Sequence, residues 1–161
     1  MLSSDLAGAA RVRRALLNLL TVAAATAVYF ALPLGVFGVS ATWAFVAAFA
    51  VGVLLVSVVL ARQVRRYRSG GTAVTGVLVA LCLAVLFFAA VYFGLAAHRP
   101  GEVAQLRTKV DALYFALSIT STVGFGDVHA AGQLARAVVA VHIGFNLLFL
   151  GVAVRAISEA R

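Results

Sequence analysis

The chain has 161 residues, 64% of them hydrophobic, with 13 basic side chains against 5 acidic ones and a formal net charge of +8. A soluble globular domain carries about 45–50% apolar residues, so this composition excludes an ordinary soluble fold and points to membrane-spanning helices. The positive balance does not indicate a nucleic-acid partner, because the arginines flank apolar runs instead of forming a basic face.

In chain order, Arg11, Arg13 and Arg14 precede an uncharged run from Ala15 to Ala61. The run is too long for the apolar core of a cleaved signal, and a second span comes directly after, so the first helix is expected to be retained. It is also too long for one crossing of a hydrocarbon core roughly 30 Å thick. Pro33, Gly35, Gly38 and Ser40 mark a turn inside it. Helix one is therefore expected at 12–33 and helix two at 41–61, with Trp43 as an interfacial anchor.

A basic connector comes next, carrying Arg62, Arg65, Arg66 and Arg68. Three of these recur at every third position, as in a voltage-sensing helix. Such a helix needs its arginines inside an apolar span, whereas these lie between two spans. They read as a positive-inside anchor that touches anionic lipid. The next apolar run, Ala73 to Ala97, is a third span, and it contains Cys82, the single cysteine. No intrachain disulfide is available to it. The stretch 98–111 is polar. Ala112 to Gly126 is uncharged but too short to cross, and Gly132 or Gln133 opens a last helix, uncharged between Arg136 and Arg155.

Loop charge sets an expected orientation. The N-terminus, the connector and the C-terminal end (Arg155, Arg161) are basic, and the turn between helices one and two is not. Both termini and the connector are thus expected in the cytoplasm. The 98–111 loop is then outside, with Arg99, Arg107 and Lys109 partly balanced by Glu102 and Asp111. The segment 112–127 then begins and ends on the outer side, so it must dip into the membrane and return. Non-helical backbone at that depth is tolerated only where protein buries it or where it lines a watery cavity. A pore or binding site is expected there.

The residues 111–129, DALYFALSITSTVGFGDVH, resemble the pore helix and selectivity filter of potassium channels. The core of the resemblance is Thr122-Val123-Gly124-Phe125-Gly126-Asp127, and the order of pore helix, filter and inner helix also matches over 73–161. A dehydrated potassium ion needs replacement oxygens, which rings of backbone carbonyls from four chains supply. An extended strand points alternate carbonyls to opposite sides, and glycine at φ > 0 relaxes that limit. Gly124 and Gly126 are the expected positions of this relaxation. By the resemblance, the carbonyls of Thr122, Val123, Gly124 and Phe125 and the Thr122 hydroxyl form the ion sites. Gly126 closes the motif, while Val123 and Phe125 pack behind it. A pore helix at about 109–120 would present the negative end of its dipole to the cavity. One pore loop cannot enclose an ion, so a homotetramer is implied.

The sequence departs from the family pattern in two places. Phe125 stands where many members have tyrosine, which removes a hydroxyl that braces the filter. Asp127 resembles the carboxylate that braces the filter at the outer mouth, and Ser118, at a position where some relatives carry its glutamate partner, is a bracing candidate beside it. Tyr114 is the alternative donor. In the inner helix, Gly144 and Gly151 lie near the place of a hinge, and close packing of small residues is the other reading. His142 and Asn146 are one turn apart and share a face. They line a cavity below the filter or clasp a neighbouring helix.

The expectation is an all-α membrane protein. It has four transmembrane helices, a re-entrant pore helix and an extended filter per chain, around a tetrameric pore. Residues 1–71 form an N-terminal helix pair with its connector, and 72–161 the pore module. The expected function is passive, potassium-selective conduction in a multi-pass cell-membrane protein. The rivals are a nonselective cation channel of the same fold and a non-conducting accessory protein. No cofactor beyond the permeant K+ is expected, and no enzyme activity, since His98, His129 and His142 fall in separate segments. No soluble ligand-binding domain is expected after Arg161. Heavy use of Ala, Val and Arg with a single lysine suggests a bacterial source.

Overall fold

The structure, a computed structural model, describes residues 2–31, 51, 52, 54, 58 and 73–158. The expected second helix, apart from those four positions, and the Arg62–Arg68 connector lie outside the described residues. The elements are α1 (Leu2–Ala31), α2 (Ala73–His98), β1 (Val103–Ala104), α3 (Lys109–Thr120), β2 (His129–Ala130) and α4 (Gln133–Ser158).

Two described helices are long and apolar enough to cross a membrane, over Thr75–His98 and Gln133–Gly151. The apolar part of α1, Ala15–Ala31, is shorter. The sequence places the start of helix one near residue 12, yet α1 begins at Leu2. Charge marks the edge of an apolar span and not the end of a helix, and arginine is a good helix former.

The core forms where α2, α3 and α4 meet. On α2 the buried positions Val85, Phe88, Ala89, Tyr92 and Leu95 recur at helical spacing and make one apolar face. Ala135, Val138, His142 and Phe145 make the matching seam of α4, and Ala112, Phe115 and Ala116 that of α3. Small alanines beside large aromatics let the short α3 sit between the two long helices. Cys82, by contrast, lies exposed on α2.

Two devices fix the ends of α3 and α4. Thr108 caps α3: its side chain accepts from the Asp111 N–H at 3.1 Å, and the Asp111 carboxylate accepts from the Thr108 N–H at 2.7 Å and the Arg107 N–H at 3.0 Å. This is a reciprocal capping box. Glu102 caps α4: its carboxylate accepts from the Ala135 N–H at 2.9 Å, and its backbone carbonyl accepts from Ala131 and Gly132. The antiparallel pairing of Val103 with Ala130 and of Ala104 with His129 completes the tie between the loop before α3 and the segment after residues 122–127.

Candidate functional site

Helix α3 ends at Thr120, and the chain turns back through Ser121 to Val128 without regular structure. The last turn of α3 organises this return. Leu117 O accepts from Ser121 N at 2.8 Å and Ile119 O from Thr122 N at 3.1 Å. Ser118 O then accepts from two successive amides, Val123 N at 3.0 Å and Gly124 N at 3.3 Å.

The backbone explains how two neighbouring N–H groups reach one oxygen. Thr122, Gly124 and Gly126 have φ of 60°, 58° and 83°, while Val123 and Phe125 are not among the positive-φ residues. The sign of φ therefore alternates along the motif. Such alternation turns successive N–H groups to one side and their carbonyls to the other. Gly124 and Gly126 hold positive φ without steric cost, as their residue type anticipates. The residue type of Thr122 gives no such signal. A β-branched residue at positive φ is an outlier that costs on the order of 1–3 kcal/mol, and such strain concentrates at functional sites. Neither glycine would bring an added Cβ within 4 Å of another atom of the chain, so conformation and not space is what demands glycine here.

Tyr114 and Asp127, two of the expected bracing residues, meet. Tyr114 donates its hydroxyl to Asp127, 3.1 Å from Oδ1 and 2.9 Å from Oδ2. Its ring lies parallel to that of Phe125, with centroids 5.9 Å apart. Phe125 thus has no hydroxyl but keeps a stacking partner. The Asp127 carboxyl is held below its ordinary range, first by the Val128 backbone N–H and then by the Tyr114 hydroxyl. Ser118 does not serve as expected: its buried hydroxyl donates to Phe115 O at 2.8 Å, back into its own helix. The carbonyl of Ser118, and not the side chain, supports the motif. His129 is a further contributor that the sequence reading omits. Its Nδ1–H donates to Gly126 O at 3.1 Å. The spacing of three residues across a turn is the available signal.

His142 and Asn146 do not share an open face. His142 is 1% exposed, its ring stacked on Phe88 with centroids 3.7 Å apart. Its Nδ1 pairs with the Tyr92 hydroxyl and its Nε2 with the Thr120 hydroxyl, each at 3.1 Å. A neutral imidazole satisfies both hydroxyls, donating at one nitrogen and accepting at the other. These are the contacts of a clasp joining α2, α3 and α4, and not those of a cavity-lining ring. Asn146 Nδ2 is enclosed and has no hydrogen-bond partner among the described residues. Helix α4 runs unbroken through Gly144 and Gly151, and an added Cβ at either would meet nothing within 4 Å of the same chain.

Two described helices, each long and apolar enough to cross a membrane, flank a short helix and an irregular turn. A family model described as ion channel matches residues 80–160, half of the chain, and the chain belongs to that family. No curated protein matches the chain, and no solved structure does.

Proposed function

We propose that the protein is a passive potassium channel, assembled as a homotetramer, with residues 122–127 as its selectivity filter. The observation that carries this reading is the alternating sign of φ from Thr122 to Gly126. In this reading the alternation lets the carbonyls of Thr122, Val123, Gly124 and Phe125 face one side, as dehydrated K+ requires. The two amides on the opposite side are taken up by Ser118 O. Gly126, whose carbonyl accepts from His129, closes the motif at the outer mouth, and Tyr114 and Asp127 brace it.

Four chains are needed to surround an ion. Val123 and Phe125, 55% and 67% exposed in the single chain, are the apolar surface that such an assembly would cover. In this reading both termini face the cytoplasm of a cell membrane. Arg62, Arg65, Arg66 and Arg68 lie against anionic lipid, and the pore module spans 72–161.

Reversal potentials of the purified protein in planar bilayers, in mixed potassium and sodium, test the proposal. The expected result is a reversal potential that tracks the potassium gradient. A permeability ratio near one overturns selectivity, and the absence of any barium-blocked potassium flux overturns conduction.

A further inference from the structure

Helix α1 packs along α2 and is tied to α3 at its C-terminal end. Tyr29 is 4% exposed, and its hydroxyl donates to the Lys109 carbonyl at 2.7 Å. The Lys109 ammonium donates to the Phe30 carbonyl at 2.6 Å and stands 6.0 Å from the centre of the Tyr29 ring. Phe30 belongs to the last turn of α1, and Lys109 is the first residue of α3.

The charge suits one helix and not the other. A cation at a helix N-terminus opposes the dipole, whereas at a C-terminus it meets carbonyls that lack intrahelical partners. Lys109, the only lysine of the chain, is at the wrong end of α3 and the right end of α1. An apolar cavity of about 420 Å³ lies where α1, α2 and α3 meet, lined in part by Val22, Thr26, Cys82, Leu86, Leu117 and Ser121. The far end of α3 is held instead by Thr120 through His142. The pore helix, packed against α2 along its buried face, is thus also tied at its start to α1 and at its end to α4.

We propose that Lys109 and Tyr29 are positioning residues through which α1 sets the placement of the pore helix, and hence of the filter that its last turn organises. The proposal rests on reading 122–127 as the filter. It gives the N-terminal helix a role in conduction that a peripheral helix would lack.

The test compares wild type, Tyr29→Phe, Lys109→Met and Lys109→Arg in vesicles of mixed phosphatidylcholine and phosphatidylglycerol. Amide hydrogen exchange is read along α3 and the filter. In Tyr29→Phe and Lys109→Met, exchange at residues 118–127 is expected to rise about three- to tenfold, the effect of one lost hydrogen bond. Unchanged exchange in α2 shows that the fold is retained. Lys109→Arg, which keeps the cation and its donors, is expected to restore the wild-type rates. Single-channel bursts are expected to shorten by a similar factor in the first two variants, with the permeability ratio unchanged. A rise confined to residues 109–112 makes the clasp a local tether and overturns the proposal. Exchange is read whether or not the vesicles conduct, so a wild type that passes no potassium counts against the proposed function alone.

Discussion

The Tyr114 hydroxyl lies within hydrogen-bond distance of both carboxylate oxygens of Asp127, across thirteen positions of sequence. One donor holds Asp127, at the end of the alternating-φ turn, to the helix that precedes that turn. The same Tyr114 ring stacks on Phe125, so a single side chain supports the motif in two ways that mutation separates.

Tyr114→Phe removes the hydrogen bond and keeps the stack. Potassium currents in this variant are expected to decay several-fold faster under sustained opening, with the reversal potential unchanged. Tyr114→Ala removes both supports and is expected to decay faster still. Decay rates in the two variants that match wild type would show that Asp127 needs no brace.

Acid acts on the same contact. The native carboxyl of Asp127 is shifted down by the Val128 N–H and the Tyr114 hydroxyl. The stabilisation is therefore fully present above the ordinary aspartate value of about 4 and is lost as pH falls through the lowered native value. Asp111, lowered by the backbone N–H groups of Arg107 and Thr108, has the same sign at the start of α3. The thermal stability of the assembled protein is expected to be flat from neutral pH down to roughly pH 5 in respect of these two groups, and to fall below roughly pH 4. Thermal unfolding of wild type and Asp127→Asn across this range checks it: the fall is expected to be smaller in the variant.

His142→Ala removes a stacked ring and leaves the Tyr92 and Thr120 hydroxyls without their buried partner. A loss of about 2–4 kcal/mol in stability is expected, measured as a lower unfolding midpoint of the purified protein. Because the ring is enclosed, wild type and His142→Gln are expected to show the same dependence of current on internal pH over roughly pH 5.5–8, where a solvent-facing histidine would titrate.

Gly132 sits against the carboxylate of Glu102, and an added Cβ would run into it. Gly132→Ala is expected to displace the Glu102 cap from α4 and to cost about 1 kcal/mol. Glu102→Ala alone costs a similar amount. In the Glu102→Ala background the glycine substitution is expected to cost nothing further, since the cap is already gone. A double-mutant cycle on unfolding midpoints reads this directly, and additive costs would refute it.

Much of the region 73–158 is legible in the chain itself. The sequence predicts helices at 73–97 and 109–120, and the helices run Ala73–His98 and Lys109–Thr120. Uncharged runs have abrupt ends, and Gly124 and Gly126 announce positive φ through their residue type. The features that stay hidden depend on partners distant in sequence. His142 and Asn146 share a helical face on paper, but the groups that claim His142 are Tyr92 and Thr120 on two other helices. Ser118 reads as a side-chain brace, whereas its carbonyl supports the motif, and main-chain acceptors leave no trace in residue type. The capping box at Thr108 and Asp111 is readable from its spacing and fixes the start of α3. The clasp between Tyr29 and Lys109 has no local signature at all.

Cys82 is the only thiol in the chain and lies exposed on α2. A nitroxide attached there gives one spin label per subunit without any engineering. The proposed tetramer would place four such labels at the corners of a square. Pulsed dipolar spectroscopy on the native sequence would then return two separations, related as a square's side to its diagonal, where a dimer returns one.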